Sequence, residues 1–526
     1  MRKIAALGIA AITFCPALLS VVSALTGSRC DVRLNGFTDE APEPAFSGKS
    51  FLNGEFQKQY AAWLDQNLKP KGVASKTFNT VKYYVFDLAG NSTEKGKGGA
   101  IFEKGVLLSA FGLEDYDYSS REKRGEMRRF VETLTEVQGK LARVGKHLYV
   151  YVPGSKVTAM RDAVPWKYVY AGGHGNRYGI VDCFREQISA TGIKTFFADD
   201  IIPSLEYPAF YKSGTHWSRT YEQIVSNHVI DDLCELTGRK YRKIALLGVE
   251  ASKKPFWREN DILSLVNVWA DSGETYYQYG TAREMPRQYD KLRVLLQGDS
   301  YGEGIRKDIL DTYPYDKLFY VNYDNLVSDN HWRNTLLNHS WDNFDWQYHL
   351  DNVDVVVVEI CEQNLVSYSC GFAQHLNEFL DRYVPGEPTA YTARLDVRDL
   401  GQWSRASCEG LYGHEGKFAW AKPYCEIILR NAEIANGLEI DFIFPNQLKQ
   451  RKKTVTVYVN GTLAKKHEAS VGANRIDIDK SDIPAATNDV YDVEIYCASY
   501  FNPSREGMSA DNRDLAIQLK YVGEVR

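Results

Sequence analysis

Leu292-Arg293-Val294-Leu295-Leu296-Gln297-Gly298-Asp299-Ser300-Tyr301-Gly302 runs from a buried-strand pattern into a Gly-Asp-Ser corner, and Ile305 to Leu310 continues it as a helix. A serine at such a corner stands at the carboxyl edge of a sheet. The N–H groups of the helix start point into the same space. That gives a nucleophile an accessible oxygen next to donors for an oxyanion. Asp299 is adjacent on a tight turn and points away from Ser300, which suits it to capping the following helix. Gly-Asp-Ser is also a common turn, so the corner needs corroboration elsewhere in the chain.

The flanking sequence supplies the fold. Met127, Phe130, Val131, Leu134, Val137, Leu141 and Val144 fall mostly at helical spacings, Gly145 ends them, and His147 to Val152 is a short apolar strand. Helix then strand recurs at Asp182–Ala190 and Thr195–Ala198, and a further helix is expected at Tyr221–Leu236. Phe319–Tyr323 and Val353–Ile360 read as later strands. Helices alternating with short apolar strands predict an α/β fold with a doubly wound, mostly parallel sheet, whose site lies beyond the strands' carboxyl ends. After Val384-Pro385-Gly386-Glu387-Pro388 the helical period fades. Strands are predicted at Tyr424–Leu429, Leu438–Phe444, Val455–Val459, Asn474–Ile478, Val490–Cys497 and Leu515–Val522, with an Asn460-Gly461 hairpin turn. This end is expected to be a β-sandwich or jelly roll.

Phe210-Tyr211-Lys212-Ser213-Gly214-Thr215-His216-Trp217-Ser218 puts a histidine in a Gly/Ser turn just before a helix. A lone histidine beside tryptophan is more often structural. Thr-His-Trp upstream of Gly-Asp-Ser, however, resembles the SGNH-like O-acetyltransferases of bacterial polysaccharide modification, the group related to alginate O-acetyltransferase. In that branch Asp-x-His-Trp precedes the serine. Ala100 to Leu108, Tyr149 to Lys156, Asn260-Asp261-Ile262-Leu263, and Val353 to Glu359 with Glu362 and Leu365 resemble further short segments of the same group. The likeness spans about residues 50 to 385.

The resemblance implies a serine acetyl-enzyme, with Ser300 as nucleophile and His216 as base, and the N–H of Ser300 joined by neighbouring Gly298 at the oxyanion. Trp217 and Tyr301 are expected as walls of the acceptor site, and Lys212 with Arg219 as a local basic cleft. It implies a polysaccharide acceptor, and a membrane-bound O-acyltransferase partner that brings acetyl groups across the membrane. No metal or organic cofactor is implied. A carbohydrate esterase would share every motif, and a polysaccharide-binding protein without catalysis would share the fold. One position departs from the pattern: Gly214 stands where the group has its triad aspartate. The acid orients the imidazole and stabilises its protonated form. Asp182, Asp199, Asp200 or Glu359 can replace it, a backbone carbonyl can orient the histidine instead, or catalysis has been lost.

Met1-Arg2-Lys3 followed by the uncharged, mostly apolar run Ile4 to Leu25 is expected to be a membrane anchor or signal, with everything after it outside the cytoplasm. The expected organisation is thus 1–28 anchor or signal, 29–99 a helical segment, 100–385 the catalytic domain, and 386–526 a β accessory domain with a possible sugar-binding role. At 526 residues more than one core is expected, and a net charge of −5 without long runs argues against a nucleic-acid groove. The nine cysteines show no CxxC or Cys/His zinc spacing. Cys361 with Cys370 and Cys408 with Cys425 are plausible bridges in an oxidising compartment, and buried thiols are the alternative.

Overall fold

The computed structural model describes residues 32, 34–36 and 41–526, apart from 68–70, 91, 174–177, 283–288, 313–314, 330–333, 387–392, 400–401, 403–406, 431–433, 487–489, 510 and 512. The apolar run expected to anchor the chain lies outside these residues, as do Glu387 and Pro388 of the linker-like stretch. Among the described residues no helix is long and apolar enough to cross a membrane. The segment ahead of the first domain, expected to be helical, includes α1 (Glu55–Asn67) and α2 (Lys71–Val85).

The chain then enters an α/β domain. Its helices include α3 (Arg121–Arg143), α4 (Ile180–Ser189), α5 (Arg219–Thr237), α6 (Asp261–Val266), α7 (Ser300–Thr312) and α8 (Phe372–Leu380). Its strands are β1 (His147–Val152), β2 (Thr195–Phe197), β3 (Ala245–Ser252), β4 (Tyr276–Ala282), β5 (Leu292–Gly298), β6 (Tyr315–Asn322), β7 (Leu326–Ser328), β8 (Asn334–Leu336) and β9 (Val355–Glu359). Seven of these form a mixed sheet in the order β8-β7-β6-β5-β9-β1-β2. The pairings β6-β5, β5-β9, β9-β1 and β1-β2 are parallel, while β7 and β8 add an antiparallel edge. Among the described residues β3 and β4 pair with each other alone, as a ribbon inserted ahead of β5.

Alternation along the strands explains why both faces are covered. On β1, Leu148, Val150 and Val152 meet α3, α4 and α8, whereas Tyr149 and Tyr151 turn to α5 and α7. On β9, Val356 and Val358 share the first core, and Val355 and Val357 the second. All four valines are at most 2% exposed, so each contributes ~1.5–3 kcal/mol of burial. An uninterrupted apolar run of this kind is stable only with helices on both sides.

The C-terminal domain is built on β10 (Ser407–His414), β11 (Ala419–Arg430), β12 (Leu438–Phe444), β13 (Thr454–Val459), β14 (Thr462–Glu468), β15 (Gly472–Ile478), β16 (Val490–Cys497) and β17 (Gln518–Glu524). They join one antiparallel sheet in the order β14-β13-β16-β11-β17-β12-β15, with β10 added on β11 and Leu395–Asp396 on β17. The sheet curls around its own apolar core. β11 makes the corner. Ala419 and Trp420 pair with β17, Tyr424 to Arg430 pair with β16, and Pro423, which has no N–H for a ladder, falls between. At the β13–β14 hairpin Asn460 and Gly461 both take positive φ, 45° and 76°, as a two-residue turn that follows strand twist requires. Neither expected disulfide forms: Cys361, Cys370, Cys408 and Cys425 are thiols, all but Cys370 buried. A buried thiol packs as a small apolar group without needing a bridge.

Candidate active site

Ser300 opens α7 directly after β5, at the carboxyl end of the parallel strands. Asp299 caps the helix: its Oδ1 accepts the N–H of Tyr301 at 3.0 Å, and its Oδ2 accepts Asn364 Nδ2 at 2.7 Å. Beneath the turn lies Glu359, the last residue of β9 and 1% exposed. Its Oε2 accepts the N–H of Asp299 at 2.6 Å and of Gly302 at 3.2 Å. Burial, then the neighbouring charge of Asp299, pushes this carboxyl well above the usual carboxylate range. Gly298 is a glycine for the same reason, since a Cβ there would lie 2.4 Å from Glu359 Oε2.

The histidine arrives on the loop between Phe210 and α5. Ser218 caps α5 through the N–H of Tyr221, and Phe210 bridges to Trp217 across the loop. Three groups fix the intervening backbone. Glu274 accepts the N–H of Lys212 at 2.7 Å and the hydroxyl of Ser213 at 2.6 Å. Tyr301 donates its phenol to the carbonyl of Thr215 at 2.9 Å. Lys156, buried, donates to the carbonyls of Ile101 (2.7 Å), Lys212 (3.0 Å) and Gly214. Burial lowers the Lys156 pKa to about 7, against the raising effect of Glu274 and Asp261.

On this frame His216 Nε2 lies 2.7 Å from Ser300 Oγ, and its Nδ1 lies 2.5 Å from Asp261 Oδ2. The two chain-distant groups anticipated from sequence therefore meet, and the carboxylate completing the set is Asp261, the first residue of α6. Its other oxygen, Oδ1, accepts the N–H groups of Thr215 (2.8 Å) and Ile262 (2.9 Å), which sets the carboxylate's orientation. None of the four carboxylates proposed from sequence occupies this position. Asp199 accepts the Ser155 N–H and the Thr158 hydroxyl, Asp200 pairs with Arg185, Glu359 lies under the serine turn, and Asp182 sits in the first turn of α4. A Cβ on Gly214 would lie 2.3 Å from the carbonyl oxygen of Glu259, so the backbone preceding Asp261 fills the space an aspartate at 214 would need. Glu259 fastens that segment by accepting the N–H groups of Arg219 and Phe256, both at 2.8 Å.

The other anticipated site residues are placed differently. Trp217 is 3% exposed; its indole donates to Glu222 at 2.8 Å and its ring packs edge-on to Tyr301. Tyr301 is also buried, its ring centroid 5.0 Å from that of His216, so both support the histidine from behind and neither walls an open acceptor site. Arg219 is buried and ion-paired with Glu222 and Asp308, locking α5 to α7 instead of facing a ligand. Lys212 is exposed and lines a cavity of about 400 Å³ with Tyr83, Tyr84, Lys95 and Gly99. The carbonyl of Gly298 accepts the N–H of Tyr323 at 2.8 Å.

Two residues near the serine escaped the sequence reading. Tyr323, at the end of β6, takes a left-handed φ of 53° and turns its phenol to the Ser300 hydroxyl. A bulky residue in that region is held by its surroundings, a condition that clusters at functional sites. Trp257, 36% exposed, stands on the loop that carries Asp261; Lys307 Nζ lies 4.9 Å from its ring and Arg258 bridges to Glu303 at 2.5 Å. Ser300, Glu303 and Lys307 share one side of α7, so this loop packs along the side of the helix on which Ser300 stands.

No protein-family model matches the chain, and no curated protein matches it in sequence. Similar solved structures include Pseudomonas aeruginosa AlgX, 12% identical, with 82% of this chain and 95% of that one covered and a TM-score of 0.34. The O-acetyltransferase domain of Pseudomonas putida AlgJ is 13% identical over 56% of this chain and 99% of that one, with a TM-score of 0.33. Bacillus cereus PatB1, with a sulfonyl adduct, is 11% identical over 48% and 94%, with a TM-score of 0.32.

Proposed function

We propose that the protein is a serine-dependent O-acetyltransferase that modifies an exported or cell-surface polysaccharide. The observation that carries this is the Ser300–His216–Asp261 relay, with both imidazole nitrogens engaged, at the carboxyl end of a parallel strand. Ser300 Oγ attacks the acetyl carbonyl carbon while its proton passes to His216 Nε2. The donor's leaving oxygen or sulfur takes that proton, and the acetyl group remains as an ester on Ser300. A sugar hydroxyl then gives its proton to His216 and attacks the ester, and Ser300 recovers its proton as the acetylated sugar departs. Asp261 holds the Nδ1–H tautomer throughout and stabilises the imidazolium. In the first turn of α7, Asp299 takes the N–H of Tyr301 and Glu359 that of Gly302, which leaves the Ser300 N–H as the helix-start donor for the oxyanion.

The doubly wound reading of the sheet belongs to the same proposal. In chain order the five parallel strands stand 4-3-5-1-2: β1 leads outward to β2 on one side and β5 to β6 on the other, with β9 between them. Ser300 and Glu359 thus flank the crevice where the direction reverses, which is where such sheets bind ligands. Export, an acetyl donor delivered at the membrane, and glycan binding by the β domain complete the reading. The intact relay favours catalysis over a binding role alone. Transfer is separated from ester hydrolysis by incubating the protein with an activated acetyl ester and oligosaccharides and weighing the glycans. Acetylated glycan, lost in Ser300→Ala, is the expected result; ester consumption at one rate with and without glycan, and no glycan mass gain, would make the protein an esterase.

A further inference from the structure

Asn35 is docked on the α/β domain well ahead of its first strand. Its N–H donates to Asn267 Oδ1 at 2.8 Å, its side-chain amide to the carbonyl of Ser264 at 3.3 Å, and its carbonyl accepts Asn267 Nδ2 at 2.7 Å. From Leu25, where the apolar run ends, to Asn35 is about ten residues, which reach at most ~35 Å even fully extended. Wherever that run is held, the end of α6 is held close by.

The surface around this attachment is apolar and open. Leu265, between the two residues Asn35 touches, is 56% exposed, Trp269 is 49% and, on α2, Phe78 is 51% and Val85 69% exposed. Trp269 bonds Thr77 and Thr80 of α2, and Asn79 donates to the carbonyl of Val266, so α2 lies against the end of α6 and carries Phe78 and Val85 on its outer side. Lysines border it, with Lys76 Nζ 5.1 Å from the Trp269 ring and Lys82 Nζ 5.7 Å from the Phe78 ring. Exposed aromatic and aliphatic side chains edged by lysine ammonium groups match the chemistry of a headgroup boundary, with rings at the acyl edge and ammonium groups at lipid phosphates.

We propose that this face, Leu265 and Trp269 with the outer side of α2, rests on the lipid bilayer in which the apolar run is anchored. The inference rests on the anchor reading and not on the reaction assigned to the site. It has a consequence for that reaction, because α6 starts with Asp261: Leu265 is one turn further on, ~6 Å along the axis. The relay would then work near the membrane surface, where an acetyl group brought across the bilayer first becomes available.

The test uses the full chain reconstituted in vesicles of phosphatidylethanolamine and phosphatidylglycerol, with bromine on the acyl chains near the headgroup or near the chain ends. The Trp269 component of the fluorescence is obtained by subtracting the Trp269→Phe variant. Loss of that component with bromine near the headgroup, and a smaller loss with bromine at the chain ends, is the expected result. Leu265→Ser with Phe78→Ser should at least halve the loss while the chain still floats with the vesicles. An unchanged Trp269 component in both lipids would overturn the proposal, and protection of Trp269 only in native membranes would assign the face to a protein partner instead. Failure of the full chain to float would reject the anchor itself, and acetyl transfer, assayed separately, would remain unaffected as a question.

Discussion

At the scale of single residues, the carboxylate behind His216 decides the chemistry. Asp261→Asn keeps the size and one acceptor oxygen but removes the charge that stabilises the imidazolium and favours the wrong tautomer. kcat should fall by about 10³–10⁴-fold with KM little changed, as measured by ester turnover. Placing an aspartate at position 214 will not help. Gly214→Asp, alone or with Asp261→Ala, places a Cβ against the Glu259 carbonyl, so it should lower Tm and leave the double variant inactive. Recovery of turnover in the double variant would show that the loop is free to accept an aspartate at 214. Glu362 supplies a pH signature of the same local kind. Burial, with the Asp199 charge next, raises its pKa from 4.5 to about 8, and Ser155 donates to its Oε1 at 2.5 Å. A raised folded pKa means the folded chain holds a proton that the unfolded chain has released. This contribution is therefore complete below about pH 4.5 and is lost as pH rises through 8. Glu362→Gln should flatten the fall in Tm over that window.

Between elements, the packing of α5 on α7 aligns the histidine with the serine, since His216 sits just before one helix and Ser300 begins the other. The joint is polar at its centre. Arg219 pairs with Glu222 and Asp308, Ser226 donates to Asp308 at 2.9 Å, and Gly304 leaves room for Glu222, whose Oε2 would lie 1.9 Å from a Cβ there. Removing the guanidinium strands two buried carboxyl groups. Arg219→Leu should therefore cost about 3 kcal/mol or more in urea unfolding. The same variant separates this account from a ligand-binding one: a structural arginine leaves the glycan KM of the folded fraction unchanged, whereas a several-fold rise in KM would return Arg219 to the site.

Over the whole molecule, the two domains meet beneath the serine strand. Lys291, just before β5, lies 2.5 Å from Glu426 of β11 and 3.9 Å from Asp492 of β16, and Tyr424 of β11 packs into the core on the α5 side of the sheet. The C-terminal domain is thus joined to the strand that delivers Ser300. Lys291→Met removes the cation and leaves the Glu426 carboxyl buried against Asp492. It should destabilise the chain by about 2–3 kcal/mol and resolve calorimetric unfolding into two transitions, whereas a single unshifted transition would show that the ion pair does not couple the domains.

The sequence by itself determined what depends on short-range pattern. Leu148 to Val152 and Val355 to Val358 read as doubly buried strands because their apolar runs have no solvent-facing alternate. Leu438–Phe444, Val490–Cys497 and the Asn460-Gly461 turn were legible because strand alternation and positive φ are written locally. Ser300 and His216 were identifiable as a pair, Thr-His-Trp upstream of Gly-Asp-Ser, since neither turn alone separates a catalytic residue from a structural one. The ribbon of β3 and β4 was not legible, since β3 is half exposed and carries no clean alternation. Asp261 was noticed within Asn260-Asp261-Ile262-Leu263 but not as the acid, because that role, 45 residues from the histidine it orients, depends on where the backbone of Glu259 lies against Gly214. Only the tertiary structure turned Trp217, Tyr301 and Arg219 inward, brought Tyr323 to the serine and set Trp257 against α7 at Lys307. The periodicity of a chain fixes which side of an element is apolar, but which polar groups meet across elements is settled when those elements pack.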